Sequence, residues 1–519
     1  MRSVLTVALL ALFYSSSSQV IKFTIEDSTK KSLHTLSWTS KEKTAYQDGK
    51  SIIQIDKGGA NMLQFAYTAK YNAQKHAVTI HKYDEGGNEL ATNKLDNGER
   101  AFGPVPTVCT QFNNKILLFY YRYIDKDSMK LYVSEVDKND LSLKNTQQLF
   151  SYHQKNVGII GMMSMSSGIG EIILRASPDE SKLLLVVMGN GDQIFSSVFD
   201  NKMNVLRNKI TEVPRKGSIQ ASDAFVENSG NNIIIFSRGV FSANSSKADE
   251  VKTILIQKVN NSEHLVEFNT IGEENIYDIH FKVLKNTAKV YLFGDYAGPI
   301  YFAGIWLTDI ETETFKINKP VLIPYPEDFA KRVYKIGFAD RKKSNYGILN
   351  TDYEMVEFEN GDLAFCGSPV LKMVGIKYTV YFGGPVIVAF LSKDLKKNLF
   401  TMIPRHQNHC SGSACVYIPY HDKLIVFYND YVKNINSELL NDDVHQKGGA
   451  IFRELSLAYA IIKKDGSIES RKLIEEGLSR MNFYNTAECE IISDKKLFIP
   501  SVSEEKKTEI MKVAKIIIE

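Results

Sequence analysis

Polar turns and apolar runs alternate along this chain in a recurring order. A short turn of Asn, Asp, Gly, Ser or Lys is followed by a dense apolar and aromatic run. Copies start at Lys57 (KGGANMLQFAYTA), Gln111 (QFNNKILLFYY), Arg175 (RASPDESKLLLVVMGN), Val226 (VENSGNNIIIFS), Val283 (VLKNTAKVYLFG), Phe358 (FENGDLAFCG), Tyr420 (YHDKLIVFY) and Ile492 (ISDKKLFIP). Asn, Asp and Gly tolerate the left-handed backbone of a tight bend. An unbroken apolar run of strand length predicts a strand covered on both faces.

A second strand follows each run and often ends in an acidic or Gly-containing turn, as in HAVTIHKYDEGG from His76 and VIVAFLSKDL from Val386. A more polar strand comes next, as in VLRNKITEV from Val205 and IESRKLIE from Ile468. The unit is therefore four strands, a–b–c–d, repeated at about 50 to 75 residues. Serial four-stranded units predict a single all-β propeller, with strand a at the axis, b and c between blades, and d at the wet outer edge. Two β-sandwich domains would not need this regular order. The SPDESKLLLV copy at Ser177 resembles the Ser-Pro-Asp-Gly turn of TolB-like and WD40-like propellers, with Glu180 in the Gly place. That resemblance implies a fold and no activity, since propellers host many functions.

Eight apolar b strands predict eight blades, seven being the alternative count. The last unit, from Asn485 to Glu519, runs out before its d strand. An N-terminal strand near Ser32–Ser40 is expected to supply it, with Leu33–Trp38 beside Val513–Ile518. One helix is expected in an inter-blade insertion, within Tyr325–Lys343. Pro326 stands at its first turn, Glu327 and Asp328 follow, and Phe329, Val333 and Ile336 share a face.

Composition then bounds the function. The 63 basic and 60 acidic residues leave a net charge of +3, which gives no general attraction to nucleic acid. Arg2, the apolar run Val4–Tyr14 and the SSSSQ that follows read as a signal peptide, residues 1–18, ahead of a propeller domain of residues 19–519. The run is too short to span a bilayer, which takes roughly 20 residues. The expectation is an exported protein, secreted or periplasmic, without a membrane span and monomeric. The five cysteines are Cys109, Cys366, Cys410, Cys415 and Cys489. Cys410 and Cys415 are close enough in sequence to pair, and an exported protein permits a disulfide.

In an a–b–c–d blade the a–b and c–d turns lie on one face, and the b–c and d–a connections on the other. The long stretches are all of the second kind: Ser151–Gly170, Arg238–Glu250, Pro324–Asn350, Gly367–Gly384, Ile403–Ala414 and Asn429–Ile451. One elaborated face and one plain face follow. Long loops on a rigid scaffold are where binding residues gather. Candidate ligand-binding residues on that face are Arg122, Arg238, Asp295, Tyr296, Arg405, His406, His409, Tyr428 and Asp430, because Tyr, Arg and Asp suit sugars or peptides. His406, His409, Cys410 and Cys415 match no zinc spacing, so a disulfide-closed loop is expected there rather than a metal site. No cofactor is implied. The motifs of serine hydrolases, zinc peptidases and phosphate loops are missing from the sequence. The sequence reads as a binding or scaffolding module for protein or glycan. The alternative is a secreted glycoside hydrolase or polysaccharide lyase with carboxylates near the axis; a small-ligand or metal-dependent propeller ranks third.

Overall fold

The computed structural model describes residues 23–26, 33–36, 47–56, 61–70, 76–84, 89–95, 105–123, 128–153, 172–188, 193–212, 218–239, 251–259, 263–269, 275–276, 280–284, 290–297, 302–311, 316–338, 346–374, 379–405, 407–408, 415–435, 455–473, 482–484, 490–493, 496–505 and 508–518. The segment expected to be a signal peptide lies outside them. Successive stretches form antiparallel four-stranded meanders, a–b–c–d. Unit 1 is Gln47–Asp56, Asn61–Lys70, His76–Tyr83 and Glu89–Leu95; unit 2 is Val105–Phe112, Lys115–Tyr123, Ser128–Val136 and Leu143–His153. Unit 3 is Ile172–Ala176, Lys182–Met188, Gln193–Asp200 and Val205–Glu212; unit 4 is Ser218–Val226, Asn232–Gly239, Val251–Val259 and Glu263–Asn269. Unit 5 is His280–Val283, Val290–Ala297, Phe302–Glu311 and Val321–Pro324; unit 6 is Tyr346–Glu357, Leu363–Val374, Val386–Leu391 and Asn398–Ile403. Unit 7 is Val416–Tyr420, Lys423–Tyr431, Leu455–Lys463 and Ile468–Leu473. A terminal sheet holds Glu490–Ser493, Lys496–Glu505 and Thr508–Ile518. This is the all-β strand order of propeller blades.

Packing explains the unbroken apolar runs. Successive side chains of a strand point to opposite faces. In strand b of unit 7, Leu424, Val426 and Tyr428 pack against unit 6 residues such as Ala364, Cys366 and Val388. The alternate residues Ile425 and Phe427 pack against Leu497, Ile499, Ile516 and Ile518 of the terminal sheet. Both faces are interior, so neither is polar. Similar clusters join units 1 and 2, 2 and 3, 3 and 4, 4 and 5, and 5 and 6. Full burial of each such side chain stabilises by about 1.5–3 kcal/mol before entropy is counted. Strand d behaves oppositely: along Glu89–Leu95 half-buried and exposed positions alternate, with Leu90 exposed.

The plain face is built from short capped turns. In the opening turn of unit 3, Ser177 Oγ donates to Asp179 Oδ1 (2.7 Å), and the same carboxylate accepts from Ser181 N (2.9 Å). Glu180 has φ 54°, where the matching turns of units 4 and 6 place Gly230 (φ 90°) and Gly361 (φ 83°). All three donate their N–H to the carbonyl three residues back, on Ser177, Glu227 and Phe358. Glu180 therefore does occupy a glycine position. Adjoining turns also bond: Asp179 N donates to Asn228 Oδ1, and Lys464 Nζ donates to Asn360 Oδ1 and to Asp362 Oδ2. Inner a strands of neighbouring units carry ion pairs, Arg175 with Asp223 (2.6 Å) and Lys282 with Glu354 (3.2 Å). These are half in water, so each is worth at most about 1 kcal/mol.

The expected helix runs Glu327–Phe338, with Pro326 just ahead of it. Phe329 and Val333 are buried between units 5 and 6. The basic residues Arg341–Lys343 lie outside the described residues. Gly367–Gly384 is not a loop. Strand b of unit 6 continues to Val374 and turns back through Thr379–Gly383, which pairs with Gln407–Asn408. Near the N-terminus, Phe23–Glu26 pairs with Ile518–Lys515. Leu33 and Leu36 sit opposite Met511 and Glu509. The expected pairing of Leu33–Trp38 with Val513–Ile518 is thus displaced: an earlier strand takes that position and Leu33–Leu36 pairs nearer the start of the last strand.

Candidate functional site

The antiparallel order fixes where each connection emerges. The a–b turns at 113–114, 177–181, 227–231, 358–362 and 421–422 are short. The connections at 154–171, 240–250, 325–345, 404–415 and 432–454 are all b–c or d–a, and so leave from the opposite end of the units. That end is the candidate functional face.

Its base, in units 5 to 7, is a layer of buried polar side chains. Strand b carries Asp295 (0 % exposed) and Asp430 (0 %) near its outgoing end in units 5 and 7, and Ser368 (0 %) midway along the longer b strand of unit 6. Asp295 and Ser368 have partners from the segment that crosses to the next unit, whereas Asp430 is held from within its own unit. Tyr325 OH, just after strand d of unit 5, donates to Asp295 Oδ1 (3.4 Å) and lies 3.1 Å from Tyr353 OH of unit 6. The Tyr353 ring lies across Gly367: a Cβ there would come within 2.1 Å of Cδ1, so glycine is what lets the ring settle at that height.

Arg405, at the start of connection 404–415, is fully buried. Its Nε donates to Gly384 O (3.1 Å), Nη2 to Ser368 Oγ (2.9 Å) and Nη1 to Cys415 Sγ (3.3 Å). Ser368 Oγ in turn donates to Gly384 O (3.0 Å). Arg471, on strand d of unit 7, donates from Nη2 to Asp430 Oδ2 and to Pro404 O, both at 2.7 Å, and from Nε to Tyr428 OH (2.9 Å). Asn434 Nδ2 donates to Asp430 Oδ1 (2.7 Å) from the one-turn helix Val432–Ile435. Charge-assisted bonds of this length are the strong ones.

The structure therefore moves several sequence candidates inward. Asp295, Tyr296, Arg405, Tyr428 and Asp430 are at most 4 % exposed. They brace the base of the face instead of lining its surface: Tyr325, on its way to unit 6, reaches Asp295, and Arg471 and Asn434 of unit 7 itself hold Tyr428 and Asp430. Arg122 remains exposed at the end of strand b in unit 2, 5.6 Å from the ring centres of both Tyr120 and Tyr132. Arg238 lies on strand b of unit 4, opposite Ile219 and Thr253; its side chain is outside what is described. His406, His409 and Cys410 lie outside the described residues. The expected Cys410–Cys415 bridge therefore falls outside the described residues, among which Cys415 is a buried thiol. Its sulfur accepts from Arg405, so a hydrogen bond joins the first and last parts of connection 404–415. Among the described residues no group of three or more His, Cys, Asp and Glu is set to hold a metal ion, and no helix is long and apolar enough to cross a membrane.

Sequence reasoning missed Arg471, Asn434, Ser368, Tyr325 and Tyr353. Arg471 reads as one more polar residue of an outer strand, and nothing local marks it as interior.

Burial sets the proton chemistry of the layer. It pushes the Tyr428 phenol up to about 12, and pushes Tyr325 well above the ordinary tyrosine value. These hydroxyls serve as donors and acceptors at neutral pH and supply no base. The sign follows from linkage: the unfolded chain loses each phenol proton near pH 10, the folded chain later. The Tyr428 contribution is complete below pH 10 and shrinks as pH rises from 10 through about 12, by about 1.4 kcal/mol per pH unit, and that of Tyr325 is lost in the same direction. Alkaline titration followed at the tyrosinate absorbance should show these phenols ionising together with unfolding. Their ionisation near pH 10 with the fold intact would contradict the packing described.

No family model matches the chain, and no curated protein matches it. Solved structures do resemble it. The WD40 domain of SCAP from fission yeast aligns over 96 % of this chain and 98 % of its own, at 10 % identity and a TM-score of 0.36. The GH93 alpha-L-arabinofuranosidase of Fusarium graminearum aligns over 68 % of this chain and 94 % of its own, at 10 % identity and a TM-score of 0.31. The chain resembles β-propellers at the level of fold, as its own strand order indicates.

Proposed function

We propose that the protein is an exported, eight-bladed propeller that binds a protein or a glycan through its elaborated face. The observation that carries this reading is the segregation of connections. Tight, internally capped turns occupy one end of the units, and every long connection leaves from the other, over a layer of buried, hydrogen-bonded polar side chains. Such a base fixes where loops start while leaving their sequences unconstrained, which suits recognition. The pairing of Phe23–Glu26 and Leu33–Leu36 with Thr508–Ile518 supports a ring closed by the N-terminal segment, with the terminal sheet as the eighth blade. Closure of this kind would leave no unpaired sheet between the ends of the chain. Export rests on residues 1–18, and the mature chain would begin at Gln19.

The purified protein, tested against an immobilised glycan panel and assayed in parallel for release of reducing ends, is expected to bind without turnover. Replacing residues 436–452 by a short Gly-Ser turn should abolish that binding and leave the melting temperature within a few degrees. Sugar release would favour the carbohydrate-active enzyme. Binding unaffected by the replacement would move the site off this face.

A further inference from the structure

Two of the long connections of the elaborated face share one anchor. Connection 432–454 begins with the turn of helix that carries Asn434, and Asn434 holds Asp430 Oδ1 at 2.7 Å. Connection 404–415 begins at Pro404, whose carbonyl accepts from Arg471 Nη2 at 2.7 Å. The same nitrogen reaches Asp430 Oδ2 at 2.7 Å. Arg405 follows Pro404 directly and reaches Cys415, at the far end of its own connection, at 3.3 Å. The path Asn434–Asp430–Arg471–Pro404–Arg405–Cys415 is thus continuous, and its side chains are interior: Asn434 4 %, Asp430 0 %, Arg405 0 % and Cys415 9 % exposed.

We propose that this relay couples the two connections, so that Arg471 is a positioning residue for both and a ligand engaging one of them resets the other. A guanidinium shared between a carboxylate and a carbonyl cannot move toward one without loosening the other. In a low-dielectric interior such bonds are strong and mutually dependent. The placement is also economical in structure. Arg471 stands on strand d, whose backbone is held by strand c, so the relay is tied to a rigid element and both connections are tied to the relay. The consequence for binding rests on the elaborated face being the binding face. The coupling itself is measured without a ligand, so its failure and the failure of that reading are separate results.

The Cys415 thiol is the reporter, and Cys366, fully buried in the same interior cluster, is its internal reference. Full-length protein is alkylated with N-ethylmaleimide under native conditions, and each cysteine is followed by peptide mass spectrometry. Asn434→Ala, which lies on the other connection, is expected to raise the rate at Cys415 at least threefold. Arg471→Met should raise it further. Cys366 should stay as slow as before in both. Ile234→Val, an interior change in unit 4, controls for general loss of stability and should change neither rate. An unchanged Cys415 rate in Asn434→Ala overturns the coupling even if Arg471→Met does not fold. Equal acceleration at Cys366, or acceleration in the control, overturns it as well, because the effect would then be general loosening.

Discussion

Asp430→Ala should destabilise the folded protein by about 3–5 kcal/mol, more than any other single polar substitution on the elaborated face. The reason is what it leaves behind. The Arg471 and Asp430 side chains are 1 % and 0 % exposed. Removing the carboxylate strands a guanidinium whose remaining described acceptors, Tyr428 OH and Pro404 O, are neutral. A buried cation without its counter-charge cannot recover its hydration energy from such groups. Tyr428→Phe removes one bond to the same guanidinium and should cost about 1.5–3 kcal/mol. Asp430→Ala with Arg471→Met removes both charges, and should be less destabilising than Asp430→Ala alone, because a well-packed apolar pair often replaces a buried ion pair at little cost. Urea midpoints for the three variants decide it. A loss below about 1 kcal/mol for Asp430→Ala would mean that water or another cation-accepting group reaches Arg471.

The same ion pair shows where sequence reading stops. The repeated turn and apolar run were legible because both faces of a b strand are interior, and two apolar faces write an unbroken run into the sequence. Glu180 was legible as a glycine substitute because its turn keeps the flanking Ser177 and Asp179 that cap it. The helix was legible from Pro326 and the acids behind it. Asp295, Tyr428 and Asp430 were located correctly at strand ends, yet their burial was not legible. A polar residue at a strand end reads as exposed, and here it is held by side chains distant in sequence, Tyr325 at Asp295 and Arg471 at Tyr428 and Asp430. Arg471 lies 41 positions from Asp430 and 67 from Pro404, so no local pattern joins them. The stretch 367–384 read as a connection because Gly367, Pro369 and Gly384 are usual loop residues. In the fold, Gly367 makes room for a tyrosine ring and Gly384 lies against Pro369. The order of the two N-terminal strands also depended on pairing across the whole length of the chain.

That long-range pairing makes the second large effect. Thr24→Cys with Ile517→Cys should give an intramolecular disulfide and a clear rise in stability. Thr24 and Ile517 are direct partners in an antiparallel pair. Direct partners in such a ladder have Cα atoms about 4.5–5.5 Å apart, within the span of a disulfide. The bridge would close a loop of almost the entire chain, and the chain-entropy model then allows up to about 6 kcal/mol; engineered bridges commonly return about 2–4 kcal/mol. The control is a one-residue offset. Ile516 and Ile518 are buried against unit 7, so Ile517 faces the other side of the strand. Thr24→Cys with Ile516→Cys therefore points the two sulfurs to opposite faces and should not close, since a shift of one residue reverses the face. Non-reducing peptide maps identify the bridge, and melting with and without reductant gives its effect. Closure in the first variant with failure in the second would establish both the joining of the chain's two ends and its register. Failure in both, or closure between separate molecules, would mean that the N-terminal strand does not complete the terminal sheet, and the ring would have to close by another route.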